Sequence, residues 1–273
     1  MAKKKKRRRI PFKELPKEIK TRKIITWIVS VIAVASLGYF GFYCMQAKDT
    51  QESYEHLSDL KDTDFVLYNS AHVTVDDLDT PDILEDYVTL YNNNKSLIGW
   101  IKIDYTLIDY PVMQSQNEDY YLNHNFNQKK DNNGSIFIDP DCSIWPRSEN
   151  IIIYGHNMKS GKMFGQLKKY KSESFYQNHQ LIQFDTLYEK GTYQIMYVFN
   201  EVVHDEVEVA FKYYQFIDSN SLEEFESNMA DMAEKSLYDT GVTAKWSDDL
   251  ITLSTCDYTE GAERFVIVAK RID

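Results

Sequence analysis

From residue 97 onward, hydrophobic residues occur in short runs separated by polar segments. Eight of these runs are rich in aliphatic and aromatic residues and are bounded by Gly, Pro, Asn or Asp, which is typical of β-strands. The predicted strands span residues 99–104, 107–114, 134–139, 150–157, 180–185, 192–203, 250–256 and 264–272. Eight short strands without internal repeats indicate a mainly β domain, built either as a closed barrel or as a sandwich.

Helical spacing of apolar residues occurs in three places. Apolar residues recur at intervals of three and four positions over 83–91, which predicts a helix before the first strand. A short helix is predicted over 163–170 and a longer one over 221–237, between the sixth and seventh strands. Ser221 and Glu224 have the spacing of a capping box, which predicts the start of the longer helix.

An uncharged run over residues 24–45 precedes the predicted domain. As a helix of about 1.5 Å per residue, this run is long enough to cross a hydrocarbon core of about 30 Å. Twelve Lys and Arg residues lie within the first 23 positions, and basic residues favour the cytoplasmic side. A cleaved signal peptide is the alternative, but its apolar core is shorter and ends in small residues. We therefore expect a retained single-pass anchor at the cell membrane, with a cytoplasmic N-terminus.

These patterns divide the chain into four segments. We expect a cytoplasmic basic segment over 1–23, a transmembrane helix over 24–45, an extracellular stalk over 46–79 and a folded extracellular domain over 80–273. Beyond position 23 only nineteen basic residues accompany forty acidic ones. Such an acidic body repels a phosphate backbone, so no nucleic-acid partner is expected.

Three residues with suitable chemistry stand at predicted strand ends. Cys256 ends the run ITLSTC, His156 ends the run NIIIYGH, and Arg264 begins the last strand eight residues after the cysteine. An antiparallel hairpin would bring Arg264 back beside Cys256. Taken singly, each also fits a structural role, as a buried thiol, a surface histidine or a solvated strand edge. Together they supply the nucleophile, the base and the oxyanion-stabilising cation of acyl transfer.

The run TLSTC ending at Cys256, the arginine that follows and the run YGHN around His156 resemble the signature of the sortases. The basic head, the single anchor and the helix between strands six and seven are similar to the class B members of that family. The resemblance covers roughly residues 80–273. It implies a closed eight-stranded β-barrel with peripheral helices, and it makes the folded segment a catalytic domain.

The same resemblance implies a cysteine transpeptidase. Cys256 would attack the carbonyl of a Thr in a C-terminal sorting motif, NPQTN-like or LPxTG-like, and hold the thioacyl intermediate. His156 would protonate the leaving amine, and Arg264 would hold the substrate and stabilise the oxyanion. The acyl group would then pass from a sorted surface protein to an amine of a cell-wall precursor or a pilin.

Four neighbouring residues are weaker candidates. Ser254, Thr255 and Asn157 are candidates for substrate binding, although strand propensity and a loop position also explain them. Asp257 would either orient His156 or only terminate its strand. The scattered acidic residues lack calcium-loop spacing and no pair of cysteines has zinc-site spacing, so we expect neither a metal nor a cofactor.

Two other functions fit part of the sequence. A hydrolytic cysteine protease shares the nucleophile chemistry, but papain-like enzymes place the cysteine before the histidine, which is the reverse order. A non-catalytic anchored adhesin or binding module accounts for the anchor and the strands. It leaves the placement of His156, Cys256 and Arg264 without a role.

Overall fold

The computed structural model describes residues 12–62, 80–117, 119–202, 211–256 and 263–273. The chain forms two compact units, Met1–Glu52 and Ser53–Asp273. Helix α1 (Lys17–Asp62) contributes residues to both units. In the first unit, the stretch Lys17–Phe42 of this helix is long and apolar enough to cross a membrane by length and composition.

Eight strands form a closed barrel in the second unit, which confirms the predicted fold class. Around the barrel they follow the order β1-β2-β3-β4-β7-β8-β6-β5. Neighbouring strands are antiparallel except for two parallel pairs, β2 with β3 and β4 with β7. The strands are β1 (Leu97–Lys102), β2 (Asp109–Met113), β3 (Ile136–Ile138), β4 (Asn150–His156), β5 (Leu181–Thr186), β6 (Thr192–Val202), β7 (Leu250–Cys256) and β8 (Glu263–Arg271).

In the described ranges, three further α-helices lie outside the barrel. Helix α2 (Glu85–Asn93) precedes β1, as the sequence predicts. The helix predicted over 163–170 is shorter and later than expected: a 3-10 helix (Leu167–Lys171) is followed by α3 (Glu173–Tyr176). Met163 does not join it because this residue has a positive φ of 51° and its backbone forms a bridge with Asn157.

Helix α4 (Leu222–Lys235) lies between β6 and β7 in the chain, which confirms the predicted insertion. The Ser221 hydroxyl accepts a hydrogen bond from the Glu224 backbone N–H at 3.2 Å, as in a capping box. The Glu224 carboxylate accepts from the Asn220 N–H instead of the Ser221 N–H. One face of α4 is buried in an apolar cluster with residues of β6, β7 and β8; its members from α4 are Phe225, Met229 and Met232.

The final turns of α1 fold with the second unit. Tyr54 and Leu57 are only 4% and 6% exposed. Their spacing of three puts them on one face of the helix, and that face packs on the barrel. The segment predicted as a stalk over 46–79 is described only as far as Asp62, and from Ser53 onward it belongs to the domain unit.

Candidate active site

The parallel pairing of β4 and β7 places the predicted histidine beside the predicted nucleophile. The two strands pair in continuous register from Asn150 with Leu250 to His156 with Cys256. Adjacent strands lie about 4.8 Å apart. His156 and Cys256, one hundred positions apart in sequence, are therefore neighbours where both strands end.

Arg264 lies next to Cys256 on the other side of β7, opposite His156. Strand β8 is antiparallel to β7 and pairs Val266 with Ser254. Carried two residues further, this register aligns Arg264 with Cys256. The Arg264 guanidinium donates a long hydrogen bond of 3.4 Å to the Thr255 carbonyl. The structure thus brings the three predicted residues together in one row across β4, β7 and β8.

The described part of Cys256 is its backbone, and Asp257 lies outside the described residues. The other cysteine of the domain, Cys142, is 3% exposed. Burial raises the pKa of the Cys142 thiol to about 12. At neutral pH this thiol stays protonated and is a poor nucleophile, which leaves Cys256 as the candidate.

A main-chain carbonyl fixes the orientation of the His156 ring. His156 is 5% exposed, and its Nε2 lies 2.6 Å from the Leu122 carbonyl oxygen. A carbonyl only accepts hydrogen bonds, so Nε2 carries the proton in this contact. In the neutral ring, Nδ1 is then the basic nitrogen. Sequence reasoning missed Leu122, because a carbonyl partner does not depend on which side chain the residue carries.

The segment that carries Leu122 is held by hydrogen bonds to neighbouring turns. The Ser135 N–H donates to the Tyr121 carbonyl at 2.8 Å, and the Ser135 hydroxyl donates to the His124 carbonyl at 2.9 Å. The Tyr54 hydroxyl, on α1, donates to the Gly134 carbonyl at 3.1 Å. Burial raises the pKa of Tyr54, so this hydroxyl remains a donor. The end of α1 therefore supports the segment that orients His156.

A Tyr54→Phe substitution in the full chain should lower kcat severalfold and leave the KM for the sorting peptide unchanged. It removes one buried hydrogen bond, a loss of about 1 kcal/mol, and retains the aromatic packing. Steady-state kinetics with a fluorogenic sorting peptide measures both constants. Tyr105→Phe is the matched control, because that side chain is 91% exposed. An unchanged kcat for Tyr54→Phe would contradict this support role.

Gly155 lets the end of β4 approach its neighbours closely. A Cβ at this position would lie 2.5 Å from the Ile136 Cδ1 and 2.8 Å from the Phe164 ring. Both neighbours are completely buried. A larger residue would therefore displace the strand end on which His156 stands.

Gly155→Ala should lower the free energy of unfolding by about 1–3 kcal/mol, as overpacking does in other cores, and should also reduce turnover. Urea unfolding and peptide turnover test the two effects. Ser247→Ala, at an exposed position before β7 that does not line the cleft beside His156, is the control. Parent-like stability of Gly155→Ala would show that the site relaxes around a methyl group.

The predicted substrate-binding residues of β7 have other partners. Both are buried: the Ser254 hydroxyl lies 2.8 Å from the Tyr213 hydroxyl, and the Thr255 hydroxyl accepts from the Phe265 N–H at 2.9 Å. These bonds hold the strand end that carries Cys256. Their role in substrate binding stays a prediction. No sequence signal identifies Tyr213, which approaches β7 only in the folded chain.

A cleft of about 770 Å³ opens beside His156. Asn157, another of the weaker candidates, lies on its wall together with side chains of the loop that follows β4. Among the residues that the structure describes, no group of three or more His, Cys, Asp or Glu side chains is placed to hold a metal ion.

Comparison with known proteins identifies the family. The profile of the Sortase domain matches residues 101–272, more than half of the chain. The chain belongs to the sortase family. Two curated relatives resemble this sortase over nearly their whole length. Sortase B of Staphylococcus aureus is 30% identical over 251 residues, which are 90% of this chain and 96% of the relative. Sortase B of Listeria monocytogenes is 32% identical over 253 residues, or 92% and 99%.

Solved structures agree with this assignment. The Staphylococcus aureus sortase B–substrate complex has a TM-score of 0.72 and 28% identity, and the match covers 84% of this sortase and 99% of that chain. Sortase B of Bacillus anthracis in complex with AAEK1 has a TM-score of 0.70 and 29% identity over the same shares. The sortase is therefore of class B, with the barrel and helices of that class. As a sortase, it is a cysteine transpeptidase.

Proposed function

We propose that this sortase is anchored in the membrane and joins sorted surface proteins to an amine outside the cell. It cleaves a C-terminal sorting motif after Thr and holds the acyl group on Cys256. The acceptor is an amine of a cell-wall precursor or a pilin. The observation that carries this proposal is the row formed by His156, Cys256 and Arg264 on three adjacent strands.

Cys256 is the nucleophile of the first step. A free cysteine has a pKa near 8.5, so only a few per cent is thiolate at neutral pH. A neighbouring His and Arg raise that fraction by favouring the negative charge. The thiolate adds to the Thr carbonyl carbon, and collapse of the adduct breaks the peptide C–N bond and leaves a thioester.

His156 moves the proton in both steps. With Nε2 held by the Leu122 carbonyl, Nδ1 is the nitrogen that exchanges a proton. The protonated ring gives this proton to the leaving amine. In the second step the incoming amine attacks the thioester, the C–S bond breaks, and the ring takes a proton from that amine.

Arg264 stabilises negative charge in both steps. A guanidinium stays protonated and presents several N–H donors in one plane, so it serves as a fixed cation rather than as an acid or base. At the start of β8 it lies level with the nucleophile, where the oxyanion of each tetrahedral adduct develops. Asp257, Asn157, Ser254 and Thr255 remain predicted contributors to substrate or histidine orientation.

The apolar helix supports the proposed location. Its uncharged run over 24–45 follows the basic segment 1–23, which fits a cytoplasmic N-terminus and an external catalytic domain. The catalytic domain assigned to 80–273 then lies outside the cell, and the end of α1 from Ser53 onward packs within the same unit. An alternative origin for this run, a cleaved signal peptide, predicts a mature protein that begins after it.

Intact mass spectrometry of the full chain in detergent tests the function. The enzyme is incubated with an NPQTN-type or an LPxTG-type peptide, with and without triglycine. We expect a thioacyl adduct that triglycine discharges, and the class B resemblance favours the NPQTN-type peptide. Cleavage of the peptide without any transfer to triglycine would indicate a hydrolytic cysteine protease. The absence of an adduct with either peptide would argue for a non-catalytic anchored adhesin.

A further inference from the structure

A basic segment follows the histidine strand in an otherwise acidic domain. Residues 158–172 contain five lysines and no acidic residue. Beyond position 23 the whole chain has only nineteen basic residues against forty acidic ones. The segment therefore concentrates positive charge beside the active site of a protein that is negative as a whole.

Hydrogen bonds and buried side chains fix this segment to the barrel. The Phe164 N–H donates to the His156 carbonyl at 3.0 Å, and the Met163 N–H donates to the Tyr110 hydroxyl at 3.2 Å. Phe164 and Leu167 are completely buried. The lysines between and after these anchor points consequently project from a defined framework.

Three of these lysines line the cleft that also contains His156: Lys159, Lys168 and Lys169. Within the described ranges, no carboxylate lies within ion-pair distance of any of the three. The Lys169 ammonium donates instead to the Gln166 side-chain oxygen at 3.2 Å, on the same wall. The cleft thus presents three ammonium groups that form no ion pair with the described acidic side chains.

We propose that this cleft binds an anionic group, carboxylate or phosphate, of the amine acceptor. The inference rests on the proposed function, because it concerns the second substrate of that reaction. The acceptor must bring its amine to His156, and the lysines lie on the walls of the same cleft. Their field attracts an anion and also disfavours the protonated form of an incoming amine, which must be neutral to attack. The concave shape favours a small anionic group over a flat membrane surface.

Transfer kinetics with three matched acceptors test the inference. The enzyme is first converted to the thioacyl form with the sorting peptide, and intact mass spectrometry measures the fraction converted. Discharge is then measured with triglycine amide, with triglycine, which carries a carboxylate, and with triglycine extended by O-phosphoserine amide. We expect a lower KM for the two acceptors that carry an anion than for triglycine amide. Whichever of these two acceptors has the lower KM indicates whether the cleft prefers a carboxylate or a phosphate.

A double variant, Lys168→Gln with Lys169→Gln, removes two charges and keeps the polar chain length. It should raise the KM of the favoured anionic acceptor roughly tenfold and that of triglycine amide much less. Lys95→Gln with Lys245→Gln removes the same net charge from exposed positions that do not line the cleft. Equal KM values for all three acceptors, or equal effects of the two double variants, would overturn the inference.

Two further outcomes separate the competing explanations. If no thioacyl adduct forms, the proposed function fails before the cleft is tested. If the adduct forms and transfers without preference for an anionic acceptor, only the cleft inference fails. Binding to phosphatidylglycerol vesicles that weakens in the Lys168/Lys169 variant, with acceptor KM values unchanged, would assign the lysines to the membrane surface and overturn the inference as well.

Discussion

A Cys256→Ala variant should form no thioacyl adduct and have no measurable transpeptidase activity. Loss of a covalent nucleophile lowers turnover by about six orders of magnitude in comparable acyl-transfer enzymes, because no other group can form the intermediate. The fold should survive, since alanine preserves the backbone pairing of Cys256 with His156 at the end of β7. Intact mass after incubation with the sorting peptide gives the readout, and circular dichroism checks the fold.

Cys142→Ala is the matched control for that experiment. This thiol is buried, with the Ile152 N–H 3.4 Å from its sulfur, and burial raises its pKa to about 12. We expect its replacement to lower stability by about 1 kcal/mol and to preserve the adduct. Residual turnover in Cys256→Ala would show that Cys256 is not the nucleophile. Loss of the adduct in Cys142→Ala but not in Cys256→Ala would show the same.

An Arg264→Lys variant should lose about two to three orders of magnitude in kcat although it retains the positive charge. An oxyanion donor contributes about that much in enzymes where it has been removed. Lysine keeps the charge that favours the thiolate, but it lacks the planar array of donors that a guanidinium holds in place. Single-turnover acylation, measured separately from discharge, shows whether both tetrahedral adducts depend on Arg264.

Arg271→Lys, in the same strand, separates a local effect at the site from a general effect on β8. Arg271 lies at the other end of β8 and forms ion pairs with Glu189 at 2.8 Å and Asp249 at 3.3 Å. Its replacement should lower stability slightly and leave turnover close to that of the parent. Near-normal turnover of Arg264→Lys would argue that only charge is needed at this position.

Local patterns in the sequence determined most of the secondary structure. All eight predicted strands are present, and each boundary differs from the prediction by no more than three residues. Helix α4 begins at its predicted cap because a serine hydroxyl and an N–H three positions later meet by local geometry alone. The short helix after His156 was less predictable, because the backbone of Met163 forms a bridge with Asn157 and donates a long-range hydrogen bond to the Tyr110 hydroxyl.

The sequence by itself also determined the chemistry: a histidine, a cysteine and an arginine at strand ends, beyond an apolar helix. The tertiary structure decided how they meet, through the parallel register of β4 with β7, strands separated by about ninety residues along the chain. It also decided the Leu122 carbonyl that orients His156, the α1 tyrosine behind it and the lysine-lined cleft. Register and main-chain contacts depend on long-range pairing and not on side-chain identity, so no local pattern encodes them.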